Sequence, residues 1–263
     1  MNEKTNNENN NNKNSNKTKD LIKKNKLDSE PQNQNSNLGE GSKSYHEEAD
    51  IYERFSQVED SPKKILNFLK PLIEGKKVLD LGCGTGKFMI DLAHVSKEYV
   101  GLDISKDQLN IAKNKLIKNN INNVKLIQSS AENIPLESNQ FDVIISTWVL
   151  GTIQDESRRE KAVSEALRLL KTGGSTYLVE NNSGGDFEVI RNRFPNKERT
   201  EKYNSWLLNH KFIVEIEFNT YFEFNNLIEA QKIFEHIWGK TAMSKIKSNR
   251  IKQKIIIFKQ EKK

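Results

Sequence analysis

An α/β fold built on a mainly parallel sheet follows from three features of the sequence. Lys77-Val78-Leu79-Asp80-Leu81 is a short run of strand formers, broken at once by Gly82, Gly84 and Gly86 and followed by apolar residues at helical spacing from Lys87 to His94. Strand, tight turn and helix make the first half of a βαβ unit. Strand-like and helix-like runs then alternate as far as Glu180, as expected of parallel strands joined by helical crossovers. Beyond that, strand-like runs at residues 211–224 and 250–258 predict a closing antiparallel hairpin. An unbroken doubly wound dinucleotide fold has no such hairpin.

The first forty-odd residues differ in kind from the rest. MNEKTNNENNNNKNSNKTKD and QNQNSNLGEGSKS are rich in Asn, Lys and Ser, and Leu21, Ile22 and Leu27 are too few for a core. Such a composition cannot bury enough surface to offset the entropy of ordering it. Residues 1–44 are therefore expected to be a disordered tail and residues 45–263 one folded domain. Deleting the tail should shift the melting temperature by less than about 2 °C. A fall of many degrees in a thermal melt would mean that the segment docks. No apolar run has the length of a secretory leader core or a bilayer span. Cys83 is the single cysteine, which excludes an intrachain disulfide and fits a reducing compartment. A cytoplasmic protein without membrane contact is the expectation.

The folded part is expected to open with two amphipathic helices. One spans residues 46–56 and the other residues 62–73, with Ser61-Pro62 as cap and first turn. Glycine is needed in the loop at 82–86 because the backbone there takes positive φ and lets a ligand lie against it. The second strand runs from Glu98 to Ile104 and carries Asp103 at its C-terminal end, about twenty residues past the loop, where an acid can accept from a ribose diol. That spacing suits nicotinamide dinucleotides equally. Ser105 caps a helix whose stripe is Leu109, Ile111, Ala112, Leu116 and Ile117. Val124 to Gln128 and Gln140 to Thr147 are the third and fourth strands. A helix at residues 156–170 ends in Lys171-Thr172-Gly173-Gly174, read as a C-cap, and a fifth strand covers residues 175–180. Helical runs follow at residues 186–194 and 200–210, and again from Leu227 to Trp238. No internal repeat is present.

The spacing D-x-G-x-G-x-G, with its third glycine one residue earlier than in G-x-G-x-x-G, resembles motif I of the class I S-adenosylmethionine-dependent methyltransferases. Ser129 to Leu136 resembles the family's G-D-A-x-x-L-P-F segment, with Ser130 where an Asp usually receives the adenine amino group. Residues 140–147 resemble its F-D-V-V-x-S strand, and residues 171–174 its L-K-P-G-G turn. The resemblance implies a Rossmann-like class I methyltransferase fold, a seven-stranded mainly parallel sheet with a C-terminal antiparallel strand. It implies S-adenosylmethionine as methyl donor and cofactor contacts from Asp80, Gly82, Cys83, Gly84, Gly86, Asp103, Ile104, Ser130, Ala131, Glu132, Ser146 and Thr147. Helices before the first strand cover the cofactor pocket in this family, which brings Tyr45 or Tyr52 toward the ligand.

The acceptor is less legible. Neither an Asn/Asp-Pro-Pro-Tyr/Phe segment nor a Pro-Cys nucleophile follows the fourth strand, which argues against amino-directed adenine or glutamine methylation and C5-pyrimidine methylation. The sequence has Trp148-Val149-Leu150-Gly151 instead, with Trp148 either a pocket wall or a core aromatic. No residue declares itself a base or a metal ligand: His46, His94, His210 and His236 are scattered. Glu180 and Asp186, at and after the fifth strand, are better placed, and Arg191 and Arg193 close by are candidates to bind an acidic substrate group. Residues 240–263 hold nine Lys/Arg against Glu261 alone, so net +8 lies there and −2 in the rest. That stripe reads either as a nucleic-acid contact or as an edge strand guarded by lysine. A small-molecule acceptor is expected. RNA or protein methylation and a catalytically silent partner subunit are the alternatives, and the oligomeric state is left open.

Overall fold

A computed structural model describes residues 49–191 and 197–263. The tail, Tyr45, His46 and Arg193 lie outside the described residues. Two helices come first, α1 (Ala49–Val58) and α2 (Lys64–Ile73). The alternating core follows: β1 (Lys77–Leu81), α3 (Met89–Ala93), β2 (Glu98–Asp103), α4 (Lys106–Lys118), β3 (Val124–Gln128), β4 (Phe141–Thr147), α5 (Glu156–Leu169) and β5 (Leu170–Asn181). Then come α6 (Asp186–Ile190), α7 (Lys197–Asn209), β6 (Ile213–Glu223), α8 (Leu227–Trp238), α9 (Lys240–Lys245) and β7 (Arg250–Glu261).

The seven strands form one sheet in the order β3-β2-β1-β4-β5-β7-β6. β1 to β5 pair in parallel, and β7 runs antiparallel to both β5 and β6. This is the seven-stranded, mainly parallel sheet that the sequence predicts. The order turns back at β1 and β4, and in such sheets ligands bind outside the carboxyl ends of the strands at that point. One face packs Val78, Val143, Ile145, Ile255 and Ile257 against α2, α3 and α4. The other packs against α5 and α7 through Leu169, Leu178, Leu207 and Phe258. A third cluster, with Phe55, Phe187, Phe222, Phe234 and Trp238, ties α1, α6, α8 and the C-terminal end of β6 into a roof.

Three local expectations are corrected. The cap of α2 is Asp60, not Ser61: its carboxylate accepts from Lys64 N (3.1 Å) and Ile65 N (2.7 Å), and Thr220 Oγ1 donates to it at 2.6 Å. Asp60 and Lys63 both take left-handed backbone to make that turn. The glycine pair at 173–174 does not cap α5. Leu170 is already extended and opens β5, and Gly173 N and Gly174 O pair with Lys262. Finally, the lysine-bearing β7 is no edge strand. It lies inside the sheet, and β6 forms the edge, so edge protection does not explain Lys252 and Lys254. Ser105 does cap α4, its Oγ accepting from Gln108 N.

Candidate active site

The loop after β1 turns on three glycines with φ of +77°, +55° and +76° at 82, 84 and 86. At Gly82 a Cβ would also collide with the Val149 side chain, and at Gly84 the Gln108 side chain would have to move aside. Gly82 N and Cys83 N both donate to Leu102 O, which binds the loop to the end of β2. Asp103 completes that junction. Its Oδ2 accepts from Gly84 N and its Oδ1 from Ser105 N, each at 2.8 Å. The acid therefore holds the glycine loop and the β2–α4 turn in one arrangement. Ile104 follows it, 49% exposed, an apolar surface at the rim.

Asp80 sits behind the loop, 3% exposed, with Oδ2 accepting from Tyr99 OH at 2.7 Å and Oδ1 without a partner among the described residues. Burial pushes its carboxyl up to about 7. The Tyr99 hydrogen bond opposes that rise and the nearby Asp103 charge adds to it. Cys83 is buried, its Sγ 3.0 Å from where a Cβ would stand on Gly101. Burial, with Asp80 and Asp103 nearby, raises its thiol well above the ordinary range, which is the opposite of a nucleophile's environment.

Ser129 N donates to Asp103 O, so the segment after β3 starts beside the acid. Ser130 Oγ accepts from Glu132 N at 3.3 Å, and Glu132 is held by Arg158 of α5 at 2.9 Å. Ala131 packs between the two apolar clusters on the α5 face. Ser146 is fully buried near the end of β4, its Oγ without a partner among the described residues, and Thr147 is half-buried beside it. The structure thus brings Asp80, the three glycines, Cys83, Asp103, Ile104 and Ser130 to one junction at the ends of β1, β2 and β3. Ser146 and Thr147 lie at the end of β4, alongside, while the Glu132 side chain turns to α5.

Two features escape the sequence reading. Trp148 takes φ of +58°, a left-handed conformation that is a genuine outlier for a bulky side chain. Its backbone N–H donates to Val179 O and its indole stacks on Phe88 at 6.3 Å. Glu180, near the end of β5, is 4% exposed and accepts from Tyr203 OH at 2.7 Å. Burial pushes its carboxyl up to about 7. Of its neighbours, Asp186 is exposed and accepts from Lys252 N, and Arg191 lies over the Phe187 ring. Helical period and strand alternation carry no signal for a backbone outlier or for a pairing of residues 180 and 203.

A family model described as a methyltransferase domain matches residues 72–249. Over 110 residues the chain is 36% identical to the demethylmenaquinone methyltransferase of a Geobacillus species, covering 41% of this chain and 46% of that one. Over 116 residues it is 33% identical to the tRNA (carboxymethyluridine(34)-5-O)-methyltransferase of Arabidopsis thaliana, covering 44% and 26%. The chain spans less than half the length of these curated relatives. Among solved structures, the YcgJ protein of Bacillus subtilis matches with a TM-score of 0.58 at 17% identity, over 75% of this chain and 97% of that one. An S-adenosylmethionine-dependent methyltransferase from Aquifex aeolicus matches with 0.51 at 18%, over 79% and 97%. Likeness at this level of identity concerns the fold alone.

Proposed function

The chain belongs to the class I S-adenosylmethionine-dependent methyltransferases, and from that premise we propose that it methylates a small-molecule acceptor. The observation that carries this reading is the roof: α1, α6 and α8 meet in one aromatic cluster, and Lys87 fastens the end of α1 to the glycine loop. A site bordered by a helix fastened down onto the glycine loop suits an acceptor that enters whole, not a polymer laid across a surface. The Geobacillus relative, named for a small-molecule substrate, agrees with it. The lone cysteine supports a reducing, cytoplasmic setting.

The residues fit the methyl donor. The loop turns on left-handed glycines at 82, 84 and 86, Asp80 Oδ1 lies buried behind it without a partner among the described residues, and the Asp103 carboxylate stands beside it at the end of β2. We assign the backbone of Gly82, Cys83, Gly84 and Gly86 to the methionine portion, with Asp80, Ser146 and Thr147 closing that side. Ile104 covers the adenine face, and Ser130, Ala131 and Glu132 border its edge. When bound, S-adenosylmethionine supplies a methyl group already activated by a positive sulfur. The chain's own residues align the acceptor with that methyl and exclude water. Positioning of this kind is worth about 7–11 kcal/mol.

A second reading, an RNA acceptor, is favoured by the basic stripe. Lys254 packs against Gly184 just past β5, at the same end of the sheet as the glycine loop, with Lys252 exposed beside it. Calorimetry should give S-adenosylhomocysteine binding at one per chain and no NADH binding; the reverse would end the methyltransferase reading. Incubation with methyl-labelled donor and fractionated cell extract should then put label in the small-molecule fraction. Label in RNA, lost on joint Lys252→Ala and Lys254→Ala substitution with cofactor binding intact, would install the second reading.

A further inference from the structure

Beneath α1, side chains far apart in sequence close a ring at the mouth of the sheet. Lys87, next after the glycine loop, donates from Nζ to Ser56 O (2.6 Å) and Glu59 O (2.7 Å) and stands 3.6 Å from Glu59 Oε2. Glu59 Oε1 accepts from Gln253 Nε2 at 2.9 Å, and the same nitrogen donates to Asn181 Oδ1 at 2.8 Å. Trp148 closes the circuit. Lys87 Nζ lies 5.7 Å from the centre of its ring, and the Trp148 backbone N–H donates to Val179 O, two residues before Asn181. The end of α1, the glycine loop and β4, β5 and β7 all contribute.

Two atoms of this ring are left over. Trp148 Nε1, a donor, and Gln253 Oε1, an acceptor on a side chain only 1% exposed, are buried and have no partner among the described residues. Buried polar atoms are hydrogen-bonded as a rule, and each exception calls for an explanation. Trp148 also carries the left-handed backbone noted above, and strain of that kind gathers at ligand sites. Resting on the methyltransferase reading, we propose that this ring is the acceptor subsite and that it takes an uncharged, flat, hydroxyl-bearing molecule.

The chemistry of the ring selects that class. Its cation is spent on two carbonyls and the Glu59 carboxylate, so no free positive charge awaits an acid. Its anion is spent on Lys87 and Gln253, so none awaits an ammonium. Burial pulls the Lys87 ammonium below its ordinary range and pushes the Glu59 carboxyl above its own, which favours neutrality further. A carboxylate cannot donate to the Gln253 carbonyl, and an ammonium cannot accept from the indole. A hydroxyl can answer either atom. The indole stacked on Phe88 offers a flat apolar face.

The test uses the full chain saturated with S-adenosylhomocysteine and three probes of one shape: naphthol, naphthoate and naphthylmethylammonium. The readout is the indole N–H resonance of Trp148, identified among the three tryptophans by Trp148→Phe. Naphthol should move that resonance and saturate, with naphthoate and the ammonium at least about tenfold weaker, and Gln253→Leu should weaken naphthol by a similar factor. A Trp148 resonance unmoved by naphthol, or charged probes binding as well, would overturn the proposal while cofactor binding stands. Failure of S-adenosylhomocysteine to bind the parent chain would instead remove the methyltransferase reading beneath it. The probe comparison does not use Gln253→Leu, so failure of that variant to fold leaves the test decisive.

Discussion

Asp103→Ala should weaken cofactor binding at least about tenfold and also lower the stability of the empty protein, by about 2–4 kcal/mol. The first effect follows from its position at the end of β2, beside the glycine loop, where a carboxylate bonding to ribose hydroxyls is worth roughly 1.5–3 kcal/mol per bond. The second follows from geometry that spacing does not reveal. Gly84 N and Ser105 N each lose their 2.8 Å acceptor in a place that is 9% exposed. A buried donor left unsatisfied costs about 1–3 kcal/mol. Asp103→Asn separates the two roles. Its single carboxamide oxygen keeps one backbone bond, so stability should fall about half as far while binding stays impaired. Calorimetry on both variants with urea unfolding beside it measures each effect. Cofactor affinity equal to the parent's in Asp103→Ala would remove the ribose role.

Asp80→Asn should stabilise the protein at alkaline pH and leave it nearly unchanged in acid. The folded carboxyl is pushed up to about 7 from an ordinary 3.8. Below about pH 4 both states carry the proton, and the stability held by the neutral acid is fully present. From there to about 7 the unfolded chain gives up the proton while the folded one keeps it. Stability therefore falls as pH rises through that window and is level beyond it. At about 1.4 kcal/mol for each pH step, the loss at pH 8 has a ceiling of about 4 kcal/mol. Asparagine cannot ionise and still accepts from Tyr99 OH, so it escapes the loss. Glu180, also pushed to about 7 by burial, loses stability over a similar window, and part of the slope should survive in the variant. Urea midpoints at pH 4.5 and pH 8 decide it. A parent whose stability is flat between them, with no gain from Asp80→Asn, would mean that the folded carboxyl is ionised throughout.

The sheet was legible because its signals are local. Each parallel strand is a short apolar run, each helix has its stripe, and the glycine loop announces its turn within five residues. The glycines, Asp80, Asp103 and Ser130 could be named together because loop spacing and motif resemblance both place them just after successive strands, and the structure brings them to one junction. What stayed hidden depends on distant partners. Asp60 displaces Ser61 as the cap of α2 because Thr220, 160 positions away, orients its carboxylate. The glycines at 173 and 174 fall inside a strand because Lys262 pairs with them. Glu59 and Gln253 meet across 194 positions, a separation at which no period or motif gives warning.

The position of β7 bears on how the chain is made. It follows β6 in sequence yet separates β6 from β5. While a ribosome is still producing residues 250–261, β5 presents a bare edge and β6 has no neighbour to zip onto. The parallel half of the sheet can form as it emerges, but the antiparallel half must wait. Pairings between remote stretches are the slow ones, and an unfilled strand edge invites capture by another nascent chain. Gln253 and its share of the mouth arrive with that same strand. Competence to hold an acceptor thus waits for the pairing of β7, after the glycine loop already exists.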